Sequence, residues 1–249
     1  MTRSRLLGAV AAALLAAGCA TVPPEDRVEH DPWEGLNRKM YGLNDAVDRA
    51  VMKPVARGYN ALVPRPVKTG ITNFSRNLMR PGSSLNNFLQ GKPRRGLSEL
   101  ARFVVNSTFG IAGLMDVATD TGIEEYDETF GQTAAVWGVP AGPYVVLPFL
   151  GPNTLRGSVT RPLDGLADPS YHYDDSSVRD KLYVLRLINL RANLLSYETL
   201  LEDSADPYVT MRETFLQNLR FRIYDGEPPV EDDDEFYDEF LEDEEDEEY

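Results

Sequence analysis

Apolar residues recur at helical spacing through most of the chain. The first stripe is expected to begin near Glu34 and to end before Pro54; its apolar positions are Leu36, Met40, Leu43, Val47 and Val51. Further stripes follow at residues 67–78, 85–89, 97–108, about 176–203 and about 206–224. Pro81-Gly82 is expected to separate two of these helices, and Asp206-Pro207 is a helix start signal. The pattern predicts a mostly α-helical protein.

Residues 131–165 interrupt this pattern, because 11 of these 35 positions are Gly or Pro. No long helix is expected at that density. Apolar runs at 133–137 and 144–147 lie between the breakers, and residues 138–142 are expected to form the bend of a hairpin-like loop. An irregular apolar segment of this length is commonly functional.

We interpret residues 138–151 as a candidate gate loop, in which glycines absorb backbone rotation beside an apolar segment. A rigid structural loop is the alternative. The residues assigned to the gate loop are Gly138, Gly142, Pro143, Tyr144, Leu147, Pro148 and Gly151.

The first 18 residues are typical of an export signal. Arg3 and Arg5 precede 12 mostly apolar residues at positions 6–17. A membrane-spanning helix needs roughly 20 such residues, so this run is too short to span. Residues 1–18 are therefore expected to be a cleaved signal.

Leu15-Ala16-Ala17-Gly18-Cys19 resembles a bacterial lipobox, which predicts that Cys19 is acylated and becomes the mature N-terminus. An incidental cysteine after an ordinary signal peptide is the alternative. Ala20 after the cysteine indicates the outer membrane, with the protein lipid-anchored on its periplasmic side. Residues 19–31 are polar and contain proline, as expected of a short tether.

Charge divides the chain further. The sequence holds 40 acidic and 25 basic residues, but residues 225–249 alone carry 16 acidic residues and no Lys or Arg. This tail is expected to be disordered, or alternatively to dock on a basic partner. Residues 38–102 carry a net charge of +10. A solvated face is the ordinary interpretation of such a run of charges, and helices that lie at a membrane interface are the alternative, because the basic residues stand beside apolar stripes.

The chain offers little material for catalysis. It has one cysteine and two histidines, His30 and His172. No Gly-x-Ser-x-Gly nucleophile turn, His-Glu-x-x-His motif or glycine-rich phosphate loop occurs. We therefore expect no metal, no cofactor, no catalytic residues and no nucleic-acid partner; an enzyme is unsupported rather than excluded.

Several ordered blocks resemble one known family. They are Asp31-Pro32-Trp33-Glu34-Gly35-Leu36-Asn37-Arg38, Asn86-Asn87-Phe88-Leu89-Gln90-Gly91, Phe130-Gly131-Gln132-Thr133, Gly142-Pro143-Tyr144-Val145-Val146-Leu147-Pro148 and Asp206-Pro207-Tyr208. In this order they are similar to the MlaA (VacJ) family of outer-membrane lipoproteins, over about residues 31–224. The resemblance implies a single helical domain at 32–224, and the acidic tail is not part of the family pattern.

The resemblance also implies a function. Members form a ring of amphipathic helices that lies in the outer membrane around an amphipathic channel. They remove mislocalised phospholipids from the outer leaflet and pass them to a periplasmic lipid-binding protein of the MlaC type, and they associate with trimeric porins. The alternatives are a non-transporting envelope scaffold that associates with porins, and a lipid-active enzyme.

Polar residues beside the apolar stripes and after the gate loop are candidates for a channel wall or for contacts with a lipid head group. They are Asn37, Asn44, Arg156, Arg161 and Asp164. Exposure on an ordinary surface is the alternative for the last three. Gly157 follows Arg156 where many members of the family have Asp, so an ion pair expected from the resemblance is missing or relocated.

Overall fold

The computed structural model describes residues 31–198 and 204–229. Cys19, the tether up to residue 30 and the acidic tail from residue 230 lie outside the described residues. The rest is mostly α-helical, which confirms the predicted fold class. In chain order the elements are α1 (Glu34–Val47), a π-helical turn (Asp48–Met52), α2 (Lys53–Leu62), α3 (Arg65–Leu89), α4 (Pro93–Thr108), α5 (Val117–Asp120), α6 (Phe130–Val136), β1 (Tyr144–Leu147), β2 (Gly151–Thr154), α7 (Leu155–Ala167), a 3₁₀ turn (Pro169–His172), α8 (Ser176–Leu194), a second 3₁₀ turn (Leu195–Tyr197) and α9 (Pro207–Ile223).

Pro54 does not end the first helix, contrary to expectation. The chain passes from α1 through the π-helical turn directly into α2, which has Pro54 in its first turn. The Lys53 N–H donates to the carbonyl of Asp48, five residues earlier. The wider π turn therefore accommodates a proline ring that an uninterrupted α-helix would exclude.

Pro81 does not separate two helices either, since the stripes at 67–78 and 85–89 both lie in α3. Ser83 Oγ donates to the Tyr126 carbonyl and Ser84 Oγ to the Gly96 carbonyl, each at 2.8 Å. These tertiary contacts hold the turns after Pro81 and help offset the roughly 3 kcal/mol that an internal proline costs. Likewise, the 13-residue helix α7 contains Pro162, although no long helix was expected there.

The hairpin forms, but its bend lies at a different place from the one predicted. β1 and β2 pair antiparallel, with Tyr144 opposite Thr154 and Leu147 opposite Gly151. Residues 148–150 therefore make the bend, whereas 138–142 lead into β1. The glycine- and proline-rich composition predicts the hairpin correctly, but the prediction of its bend at residues 138–142 is wrong, because the second cluster of Gly and Pro, at residues 148–152, makes the turn.

Helix α4 shows how the helices are oriented. Its apolar residues Leu97 and Val104 are 58% and 51% exposed. On the opposite face, Glu99, Arg102 and Asn106 are all at most 2% exposed. The polar side of this helix therefore faces the protein interior and the apolar side faces outward, the reverse of a helix on a water-soluble domain.

This reversal holds across the described residues. Only six apolar residues are buried, against eighteen polar or charged ones, while 35 large hydrophobic residues are exposed. The buried apolar cluster is small; Tyr144, Val146 and Tyr208 form its centre between α1, β1 and α9. No helix in the described ranges is both long and apolar enough to cross a bilayer. Polar contacts must therefore hold most of the interior together.

Gly110, directly after α4, has no room for a side chain. A Cβ there would lie 2.2 Å from the carbonyl oxygen of Met115 and 2.5 Å from that of Asn106. Because both obstacles are backbone atoms, we expect Gly110→Ala to lower the free energy of unfolding by about 2 kcal/mol or more, measured by chemical denaturation in mild detergent.

Gly42 in α1 is the matched control, because a Cβ there meets nothing within 4 Å. Gly42→Ala is expected to raise the free energy of unfolding by about 0.5–1 kcal/mol, since alanine favours the helix. Equal stability of the two variants would contradict the crowding at Gly110.

Candidate functional site

Asn37 of α1 binds the backbone of the hairpin. Its Nδ2 donates to the Tyr144 carbonyl and its Oδ1 accepts the Val146 N–H, both at 2.9 Å. Nδ2 also donates to Oδ1 of Asp31 at 2.7 Å, and the residue is 1% exposed. The amide of Asn37 is therefore buried and occupied by the protein, and its role in a channel wall or in a head-group contact stays a prediction.

Asn44 repeats this arrangement two helical turns further along α1. Its Nδ2 donates to the Leu147 carbonyl at 2.9 Å, and its Oδ1 accepts the Phe149 N–H at 2.7 Å. Asn44 therefore holds the bend of the hairpin as Asn37 holds its strand. Together the two amides take the place of a third strand beside β1.

A buried polar cluster lies behind Asn37. The carboxylate of Asp31 is 0% exposed and accepts hydrogen bonds from the Tyr208 hydroxyl and from Nη1 of Arg212, the latter at 3.2 Å. Burial and the bond to Asp31 raise the pKa of Tyr208, which keeps its hydroxyl a donor. The cluster joins Asp31, from the first block of the family resemblance, to Tyr208, from the last block. Residues from both ends of the described chain therefore support the hairpin.

Arg38 adds a second link between these ends. Its Nη2 lies 2.8 Å from Oδ2 of Asp206, the residue that caps α9 by accepting the N–H of Tyr208 at 3.0 Å. The start signal at Asp206-Pro207 is confirmed, and it also places α9 against α1.

Arg156 anchors the other side of the gate loop. Its Nη1 donates to the Val139 carbonyl at 2.7 Å, and its backbone N–H donates to the Ala141 carbonyl at 3.0 Å. The residue is 8% exposed, and burial lowers the pKa of its guanidinium. No carboxylate of the described residues pairs with it. At the next position, a Cβ on Gly157 would lie 2.1 Å from Oδ1 of Asn153, so glycine fits this local packing.

The glycines of the gate loop define its turns. Gly138, Gly142 and Gly151 have φ values of +85°, +67° and +79°, a region that favours glycine. Gly142 is also crowded, since a Cβ there would lie 3.0 Å from Cβ of Leu155. Movement of the loop stays a prediction. If the loop moves, these three glycines are the positions where its backbone can rotate.

Asp164 and Arg161 lie on α7, away from the hairpin bend. Oδ1 of Asp164 accepts the Phe130 N–H at 2.8 Å, which holds the start of α6. Burial raises the pKa of Asp164, partly opposed by that hydrogen bond. Arg161 is exposed. The five predicted polar residues therefore do not form one site: two hold the hairpin, Arg156 holds the loop before it, and the last two lie beyond.

The sequence reasoning missed the polar interior between α3, α4 and the segment after them. Arg80 lies 2.9 Å from Glu99, at 4% and 0% side-chain exposure, and Arg102 lies 2.9 Å from Asp116. A signal was present, because Glu99, Arg102 and Asn106 recur at helical spacing opposite the apolar stripe of α4. That polar stripe is the buried one. In the described ranges, no group of three or more His, Cys, Asp or Glu side chains is placed to hold a metal ion.

These features define a class of protein: amphipathic helices turn their apolar sides outward, enclose ion pairs and amides, and clasp a short β-hairpin. Comparison with known proteins gives the family. The chain belongs to the MlaA lipoprotein family, whose model matches residues 29–222.

Two relatives carry the name intermembrane phospholipid transport system lipoprotein MlaA. The protein of Haemophilus influenzae is 32% identical over 91% of this chain and 93% of its own length. That of Escherichia coli is 36% identical over 86% of each chain. A solved structure from work on the structural basis for maintenance of bacterial outer membrane lipid asymmetry matches with a TM-score of 0.69 and 38% identity, over 78% of this chain and 98% of that one.

Proposed function

We propose that this chain is an outer-membrane lipoprotein that removes mislocalised phospholipids from the outer leaflet and passes them through an amphipathic channel to a periplasmic carrier. In this role it maintains the lipid asymmetry of the membrane and performs no covalent chemistry. The names of its relatives and the subject of the similar solved structure support this assignment.

The observation that carries the proposal is the reversed distribution of side chains. Each Å² of apolar surface left in water costs roughly 25 cal/mol, so 35 exposed large hydrophobic residues favour a hydrocarbon environment. A phospholipid in transit must also keep its charged head away from hydrocarbon, where an unpaired charge is expensive. A ring of helices with an apolar outside and a polar inside meets both requirements.

The hairpin is the proposed gate. Its bend exposes Phe149 by 70% and Leu150 by 41%, whereas its base is tied to the protein through Asn37 and Arg156. An apolar tip on a held base can close a lipid path without a large rearrangement of the helices.

Family membership supports the proposed anchor and partners. Acylated Cys19 would hold the chain at the periplasmic face of the outer membrane through the tether at 19–31. The proposed partners are phospholipid, a trimeric porin around the apolar exterior, and a periplasmic lipid-binding protein of the MlaC type. The acidic tail is no part of the transport proposal.

The test is the outer-leaflet phospholipid content of cells that lack this protein, with and without re-expression. We expect phospholipid to accumulate in the outer leaflet and re-expression to reverse it, whereas Cys19→Ala should lose acyl labelling and fail to restore clearing. No accumulation in the deletion strain would refute the transport proposal and favour the porin-associated scaffold.

The apolar side of α4 gives a prediction that needs no cells. Leu97 and Val104 are about half exposed, and a Leu or Val side chain that leaves water gains about 1.5–3 kcal/mol. In the non-acylated Cys19→Ala protein, Leu97→Gln with Val104→Gln should weaken co-sedimentation with phospholipid vesicles about tenfold or more. Thr214→Gln, at an exposed position of α9, should leave it unchanged; equal binding by both proteins would place α4 outside the membrane contact.

A further inference from the structure

A cavity separate from the hairpin lies where α2, the first two turns of α3 and the end of α8 meet. Its volume is about 500 Å³, within the range of roughly 300–1,000 Å³ typical of sites for small ligands. No residue of the gate loop lines it. It is therefore an additional candidate site on the molecule.

Polar contacts build the walls of this cavity. Nδ2 of Asn60 donates to the Ala192 carbonyl at 3.0 Å, which joins α2 to α8. Thr72 Oγ1 accepts from Asn189 at 2.8 Å and from Asn193 at 3.3 Å, which joins α3 to α8. The three helices therefore hold the polar lining in a defined geometry.

Two cationic side chains, Arg65 and Lys68, line this cavity, and neither forms an ion pair with a carboxylate of the described residues. Within the part of the chain that the structure describes, Nζ of Lys68 donates to oxygen atoms of Asn60 alone, at 2.7 Å to Oδ1 and 3.4 Å to the carbonyl. The side chain of Arg65 has no hydrogen bond or ion pair with any described residue. Among the described residues that line the cavity, none is Asp or Glu. By contrast, the nearby Arg191 pairs with Asp48 at 2.7 Å.

We propose that this cavity binds a phosphate group through Arg65 and Lys68, with a phospholipid head group as its source. The planar guanidinium of Arg65 can donate two parallel bonds to phosphate oxygens, and Lys68 supplies a second charge. The hydroxyl group of Thr69 in the lining is a further donor. The lipid assignment rests on the proposed transport function, whereas the phosphate chemistry does not.

Apolar residues beside the cavity favour a lipid over free phosphate. Ala192 and Leu195 belong to the lining. A phosphodiester held by the two cations would therefore have apolar surface next to it for its acyl chains. Inorganic phosphate would use the cations alone.

The experiment is equilibrium binding to the purified full-length lipoprotein in non-ionic detergent, with three probes: a short-chain phosphatidylglycerol, a diacylglycerol with the same chains, and inorganic phosphate. We expect phosphatidylglycerol to bind at least about tenfold more tightly than either other probe. Arg65→Gln with Lys68→Gln should weaken its binding about tenfold or more. Arg65→Gln alone should show part of this loss, and because Arg65 is exposed, that variant should keep the fold.

Arg76→Gln is the matched control, because Arg76 lies on the same helix and its Nη2 lies 3.6 Å from Glu125, outside the cavity. This variant loses the same charge and should bind phosphatidylglycerol normally. Unchanged binding by the folded Arg65 and Lys68 variants would overturn the site, as would diacylglycerol binding as tight as that of phosphatidylglycerol. Inorganic phosphate binding as tightly as the lipid would overturn the lipid source. Because pure protein is used, these outcomes are independent of the deletion strain that tests transport.

Discussion

Replacing Arg212 with Met is expected to lower the free energy of unfolding by about 3–5 kcal/mol. Arg212 is 4% exposed and its Nη1 lies 3.2 Å from the buried carboxylate of Asp31. Without the guanidinium, the Asp31 carboxylate is a buried charge with no cation beside it. Of its described partners, the hydrogen-bond donors Asn37 and Tyr208 remain. Chemical denaturation of the purified protein in mild detergent measures the loss.

A second substitution separates charge from packing. With Asp31→Asn added to Arg212→Met, no buried charge is left unpaired, so the double variant should be more stable than Arg212→Met alone. The exposed ion pair between Arg49 and Asp45 serves as the control, and Arg49→Met should change stability by no more than about 0.5 kcal/mol. A loss below about 1 kcal/mol for Arg212→Met, or a double variant less stable than the single one, would refute this account of the cluster.

The helical pattern of the sequence predicts which segments are helices but not where all of them end. Periodicity is a property of one segment, and it located α1, α4 and α9 well. The helical backbone continues past Pro54 because of a π turn. It continues past Pro81 with the support of hydrogen bonds to the carbonyls of residues 96 and 126. Contacts between distant residues are invisible to a local rule about proline.

The orientation of the helices was harder to predict than their existence. An apolar stripe such as Leu97 and Val104 normally packs a core, and only the polar residues on the opposite face of α4 indicate otherwise. The predicted export signal and the lipobox-like sequence around Cys19 give reason to consider the reversed arrangement. The sequence alone cannot choose, because both arrangements have the same periodicity.

The sequence identifies Asn37 and Asn44 as candidate site residues but does not indicate what they contact. It singles out Asn37 and Asn44 as polar residues beside the apolar stripe of the first helix. Their partners are backbone groups of β1 and its bend, more than 100 residues away. No side-chain pattern marks a backbone partner, so the sequence does not predict that these two residues hold the hairpin.

Replacing Asn44 with Leu is expected to abolish most lipid clearing while the protein stays folded and anchored. The substitution keeps the approximate size of the side chain but removes the bonds to the Leu147 carbonyl and the Phe149 N–H. These groups lie at the bend, where water can reach them, so the loss of stability should stay near 1 kcal/mol. The bend of the proposed gate, however, loses its attachment to α1, while Asn37 still holds the strand. The measurement is outer-leaflet phospholipid in a deletion strain that expresses the variant, with protein level and acylation checked in parallel.

Asn37→Leu and Asn218→Leu make this result interpretable. Asn37 is buried and also supports Asp31, so its loss should impair both stability and clearing, by about 2–4 kcal/mol for stability. Asn218 is an exposed residue of α9, and its replacement should leave clearing intact. Full clearing by a stable Asn44→Leu protein would show that the held bend is not needed for transport. Loss of clearing with the Asn44→Leu protein stable and anchored would instead support a gate. In that gate, α1 sets the closed position of the hairpin through Asn44.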